Sequence, residues 1–190
     1  VSSDGIRGWG ECVAMSWPGY SAEYTDGAID VMQRHLLPAL RELPLGADPQ
    51  AVREALDVVR GHPMAKSALS TALLDAWLRA RGESLGSYLG ATRDRIDCGV
   101  SVGIPAAESI EALLEEVGSY IDAGYRRIKL KIEPGWDLKP VAAVRGAWPG
   151  VPLQVDANQA YTRSHADHLA QLDPFDLILI EQPLHEEDWY

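Results

Sequence analysis

Cysteine is almost missing from this sequence of 190 residues: Cys12 and Cys98 stand far apart, with no Cys-x-x-Cys and no Cys/His spacing around them. That excludes a disulfide framework and a structural zinc site. The expectation is two buried free thiols, because unpaired cysteine packs as a small apolar residue. Long apolar runs are missing too. None approaches the roughly 18 residues that a membrane-spanning helix needs, and Val1-Ser2-Ser3-Asp4-Gly5 offers neither a basic region nor an apolar signal core. The expectation is a cytoplasmic chain without a membrane partner. Positive charge is short: 17 Lys and Arg stand against 28 Asp and Glu, a formal net charge of −11. Nucleic acid is excluded as the main partner, since phosphate binding is driven by Lys and Arg. A glycine-rich phosphate loop after a first strand is also lacking, which argues against a doubly wound nucleotide-binding fold.

What is present is a chain 46% hydrophobic, enough to bury roughly two-thirds of its unfolded surface. Its texture changes near residue 95, and we read domains at 1–95 and 96–190. The first is mostly helical. A short strand is expected over 10–14, then a loop at Ser16-Trp17-Pro18-Gly19 and a helix over 22–43 that Pro38 kinks or divides. A second helix starts at Asp48-Pro49, an N-cap followed by proline, and a third runs over 64–81, where small residues allow close packing. In the second domain strands are expected at 98–104, 127–132, 152–157 and 177–181. Helices lie between them at 106–123, 138–148 and 164–172. His165 and His168 read as part of a solvated helix surface. Three βα units and a fourth strand make an α/β fold with a parallel sheet.

Polar residues recur at one position of this repeat. Lys131, Asp156 and Glu181 are spaced 25 residues apart, each at the carboxyl end of its strand, where parallel α/β folds build their sites. Strand alternation puts Lys129 and Lys131 on one face of Arg127-Ile128-Lys129-Leu130-Lys131-Ile132, and Gln154, Asp156 and Asn158 on one face of the next strand. Neighbouring ammonium groups repel, so at least one lysine is expected to lose its proton more readily than free lysine and to serve as a general base. Two carboxylates with an amide oxygen suit Mg²⁺ or another divalent cation such as Mn²⁺. Other readings stay open for the same residues: exposed lysines on an edge strand, an Asp156 that caps a turn, or a Lys131–Asp156 salt bridge.

Lys129-Leu130-Lys131, Asp156-Ala157-Asn158 and Glu181-Gln182-Pro183, in that order, resemble the enolase superfamily of the muconate-lactonizing type. Gly8-Trp9-Gly10-Glu11-Cys12, Tyr20-Ser21-Ala22-Glu23-Tyr24, Lys131-Ile132-Glu133-Pro134-Gly135-Trp136-Asp137 and Leu172-Asp173-Pro174-Phe175 narrow the likeness to its o-succinylbenzoate synthase and N-acylamino acid racemase branch. The resemblance implies a partial α+β capping domain followed by the first half of a modified TIM-type (β/α) barrel. It implies catalysis by Lys131 as base with Lys129 beside it, Asp156 and Glu181 as metal ligands, and Ser101, Asn158, Tyr20 and Met15 around a small carboxylate substrate. The reaction implied is an Mg²⁺-dependent dehydration in menaquinone biosynthesis, through proton abstraction and an enediolate, with amino acid racemisation as a second activity. Dipeptide epimerase, sugar-acid dehydratase and a non-catalytic half-barrel that needs a partner are the alternatives. Members of the superfamily carry a third metal carboxylate and a second lysine on later strands. The expectation is therefore a piece of a longer, homo-oligomeric enzyme, inactive alone.

Overall fold

Two apolar cores organise the chain. The computed structural model describes residues 2–3, 5–44 and 46–188, which fall into two units, Val1–Asp94 and Arg95–Tyr190.

The first unit opens with two short antiparallel strands, β1 (Ser2–Ser3) and β2 (Ile6–Arg7). The strand expected over 10–14 is not formed. Its alternation is real, but the segment lies on a helix rather than on a partner strand. Gly8 and Gly10 press against α4 (Pro63–Arg81) so closely that a Cβ would sit 1.9 Å from the Ala72 carbonyl oxygen and 2.0 Å from that of Ala68, respectively. The Trp9 N–H donates to Asp75 at 2.9 Å. The small residues of α4 thus receive an extended backbone.

Pro38 does not divide its helix. Between α1 (Thr25–Val31) and α2 (Leu37–Arg41) the chain makes a π turn over Met32–Leu36, and the Leu37 N–H reaches back to the Met32 carbonyl. The wider turn accommodates a residue that has no N–H to give and whose ring collides with the carbonyl four residues back. Asp48 caps α3 (Pro49–Asp57) by accepting from the Ala51 N–H at 2.9 Å, as Asp48-Pro49 predicts. The start of α4 has no local side-chain cap. Glu23 supplies one from 41 residues away, accepting from the N–H groups of Met64 at 2.7 Å and Ala65 at 3.0 Å. A short helix, α5 (Leu85–Tyr88), follows. Val31, Leu36, Val52, Leu56 and Leu69 form the core, with Cys12 packed against it. Cys12 is half-buried and Cys98 exposed, so the expectation of two buried thiols fails; Cys98 precedes the first strand of the second unit and lies outside its core.

The second unit is a four-stranded parallel sheet in sequence order: β3 (Gly99–Val102), β4 (Arg127–Lys131), β5 (Leu153–Asp156) and β6 (Ile180–Glu181). Helices α6 (Ile110–Asp122) and α7 (Leu138–Ala147) return the chain between strands. Ile128, Leu130 and Ile132 point to one face and meet Leu113 and Val117 of α6 and Val141 and Val144 of α7. Each buried aliphatic side chain contributes about 1.5–3 kcal/mol. The 25-residue spacing survives as register: Lys131 pairs with Asp156, and Asp156 with Glu181. Arg145 of α7 donates to the carbonyls of Val151 at 2.7 Å and Phe175 at 2.9 Å, joining the turns that lead into β5 and β6.

The helix expected over 164–172 is broken. A 3-10 turn (Arg163–His165), α8 (Ala166–Leu169) and a second 3-10 turn (Ala170–Phe175) replace it, the last enclosing Pro174. The ladder at β6 starts before its named residues, with the Ile178 N–H on the Leu153 carbonyl at 2.9 Å.

Candidate active site

In a parallel ladder, registered residues present their side chains to the same side. One row is Ser101, Lys129 and Gln154; the next is Lys131, Asp156 and Glu181. The second row sits at the carboxyl ends of three adjacent strands. Lys131 Nζ donates to Asp156 Oδ2 at 2.6 Å and also to Asn158 Oδ1. Lys129 Nζ lies 3.0 Å from Glu181 Oε2 and 3.2 Å from Asp156 Oδ2. Asp156 also accepts from the Asn158 backbone N–H at 3.0 Å, so it does brace a turn. The Lys131–Asp156 salt bridge exists too, as one link in a network of two lysines, two carboxylates and an amide.

Of the two lysines, Lys129 is the one whose charge the surroundings favour. The hydrogen bond to Glu181 raises the Lys129 pKa above the ordinary lysine value; burial opposes this, and Asp156 adds to it. Glu181 and the Asp156 carboxylate, which Lys129 shares with Lys131, set the direction at Lys129. Burial pushes the Asp156 carboxyl upward, but hydrogen bonds from Lys131, the Asn158 N–H and Lys129 hold it below its usual range.

Asp156 and Glu181 both reach Lys129 Nζ, so carboxylates from neighbouring strands converge on one positive charge. Hard oxygens in few protein positions, completed by water and substrate, are what Mg²⁺ takes. The pair, with Asn158 nearby, fits that donor chemistry. Among the described residues no group of three or more His, Cys, Asp or Glu forms a fuller metal cage. Ser101 is exposed on the face that carries Lys129. Met15 and Tyr20 are exposed side chains of the first unit.

A second polar cluster escaped the sequence reading. Tyr161 Oη donates to Asp137 Oδ2 at 2.8 Å, His168 Nε2 lies 2.7 Å from the same oxygen, and Asp137 Oδ1 accepts from the Leu138 N–H at 2.6 Å. His168 is therefore partly buried against a carboxylate and His165 packs edge-on against Tyr161, which corrects the solvated surface expected for both. The signal available was the polar pair Asp137 and Tyr161, one in each loop beyond a site strand.

Residues 1–90 match the mandelate racemase / muconate lactonizing enzyme N-terminal domain, and residues 112–190 match the enolase C-terminal domain-like family. An N-succinylamino acid racemase from Amycolatopsis is 55% identical over 96% of this chain and 49% of its own length. An o-succinylbenzoate synthase from Geobacillus kaustophilus is 43% identical over 99% and 49%. A solved enolase-superfamily member from Listeria innocua superposes with a TM-score of 0.91 at 38% identity, covering 97% of this chain and 49% of that one. The chain thus spans about half the length of the relatives it matches.

Proposed function

The chain belongs to the enolase superfamily, and from that premise we propose that its strand-end cluster abstracts a proton from the carbon next to a substrate carboxylate. The reading is carried by one observation: Lys131, Asp156 and Glu181 stand in register at the carboxyl ends of adjacent parallel strands. Lys131, in its neutral form, takes the proton at Nζ. Asn158 Oδ1 and Asp156 Oδ2 fix where that nitrogen points. Lys129 stays charged and places a cation beside the negative charge that develops as the proton leaves. Asp156 and Glu181 would hold Mg²⁺ or Mn²⁺, which supplies Lewis-acid stabilisation of an enediolate when bound. Ser101, on the sheet face that carries Lys129, is assigned to the substrate pocket.

The substrate class is a small carboxylate. Loss of water after proton abstraction gives o-succinylbenzoate synthase chemistry, within menaquinone synthesis in the cytoplasm. Delivery of a proton to the opposite face, by the second lysine that members of the superfamily carry on a later strand, gives racemisation of an N-succinylamino acid. The second reading is favoured by the higher identity to the Amycolatopsis racemase, 55% against 43% for the Geobacillus synthase. Both share the first step, so one experiment tests the base: the full-length protein is assayed on both substrate types in D₂O, with exchange of the substrate α-proton followed by NMR. Lys131→Ala is expected to lower exchange at least about a hundredfold. Undiminished exchange in that variant sinks the assignment.

A further inference from the structure

The Asp137–Tyr161–His168 cluster stands outside the set of groups that would touch substrate or metal, and packing alone does not explain it. A buried carboxylate is unfavourable unless it is well partnered, and a phenylalanine would fill the space of Tyr161 without needing one. Asp137 is 5% and Tyr161 2% exposed. Asp137 lies six residues after Lys131 and Tyr161 five after Asp156, so their hydrogen bond joins the two loops that leave the site strands.

The loop after β5 needs such a tie. Asn158 and Gln159 are consecutive residues with positive φ, 43° and 68°, a conformation that side-chain-bearing residues adopt at a cost. On the β6 side backbone bonds hold this loop: Ala157 N–H to Glu181 at 3.0 Å, Gln159 N–H to Gln182 at 2.7 Å and Tyr161 N–H to Pro183 at 3.0 Å. On the β4 side the ladder ends with the Ile132 N–H on the Asp156 carbonyl. Beyond it the ties come from side chains: Lys131 to Asp156 and Asn158, and Tyr161 to Asp137. The Asp137 end is itself fixed by the Leu138 N–H at the start of α7 and by His168.

We propose that Asp137 and Tyr161, braced by His168, are positioning residues: their buried hydrogen bond fastens the β5 loop to the β4 loop and keeps Asn158 and Asp156 at the distance Lys131 requires. This rests on the proton-abstraction reading of the site. Tyr161 acts through the backbone of its loop and touches no reacting atom.

The test uses the full-length protein and Tyr161→Phe, with Val144→Ala as a control that weakens the same core away from both loops. Four quantities are read in each: amide hydrogen exchange over 157–161, Mn²⁺ affinity by titration, and kcat and KM for α-proton exchange. Tyr161→Phe is expected to speed amide exchange in the loop, weaken Mn²⁺ binding, and lower kcat about ten- to a hundredfold with KM within about twofold. Val144→Ala does none of these at a similar loss of Tm. Asp137→Asn, which keeps the volume and an acceptor, is expected to fall between Tyr161→Phe and wild type, and it takes the place of Tyr161→Phe if that variant does not fold. Equal kcat and equal loop exchange in Tyr161→Phe and Val144→Ala would overturn the proposal. A wild-type protein that neither binds Mn²⁺ nor exchanges the α-proton would instead overturn the reading of the site itself.

Discussion

Asp156 holds three donors with two oxygens: both lysines on Oδ2 and the Asn158 N–H on Oδ1. Asp156→Asn therefore leaves two ammonium groups with one carboxylate between them. We expect it to destabilise the fold by about 1–3 kcal/mol, the half-exposed lysines being partly screened by water. It should also weaken Mn²⁺ binding at least about tenfold. Urea unfolding and a metal titration check the two effects separately. Asp137 and Tyr161 give a pH dependence of opposite sign at each end. Burial pushes Asp137 upward, but hydrogen bonds from His168, Leu138 and Tyr161 win, so its folded pKa lies below the ordinary value. Its contribution is present above the unfolded value of about 3.9 and is lost as pH falls through the folded one. Tyr161 is raised, first by burial and then by the Asp137 carboxylate. Its contribution is complete below about pH 10, the unfolded value, and drains as pH rises beyond it. Unfolding free energies measured across pH should show a shallower alkaline decline in Tyr161→Phe and a shallower acid decline in Asp137→Asn. Slopes identical to wild type would remove both assignments.

The elements of the first unit are held by contacts distant in sequence. Glu23 caps the start of α4, and Glu23→Ala is expected to lower stability by about 1–2 kcal/mol. Gly10→Ala should cost more, because its Cβ would meet backbone oxygen at 2.0 Å and the helix cannot yield there. Urea midpoints of the two variants check the order. These contacts explain what the sequence hid. The alternation through Glu11, Cys12, Val13 and Ala14 is a strand pattern, yet strand and extended loop share the same local geometry and differ in what lies beside them. Pro38 announces a disturbed helix, but whether the chain breaks or widens is settled by packing on both sides of the bend. By contrast, Asp48-Pro49 states its element outright, because a side-chain cap and a proline at the first turn act within four residues.

Across the whole molecule, the four strands and their order were legible because each βα unit repeats the same alternation at nearly the same length. Lys129, Lys131, Asp156 and Glu181 were legible as a set because register follows from that repeat. The Asp137–Tyr161–His168 cluster was not, since two loops and the short helix α8 supply it and no local pattern marks them as neighbours. The sheet runs from β3 to β6, and among the described residues neither of these strands has a partner on its outer side. Ile178 and Leu179, leading into β6, are 55% and 49% exposed. We expect the 190-residue chain expressed alone to self-associate with rising concentration, since open apolar edges invite pairing. Light scattering after size exclusion checks this, and a strict monomer over a wide concentration range refutes it.

The registered row has a further consequence for how such a protein can change. Side chains alternate across the sheet, so a one-residue insertion inside a ladder acts as a frameshift: it would turn Asp156 toward the helices and bring an aliphatic neighbour to the mouth. The ladders leading to Lys131, Asp156 and Glu181 can therefore be edited only in steps of two, and the turns into β5 and β6 only where the carbonyls that Arg145 grips stay in place.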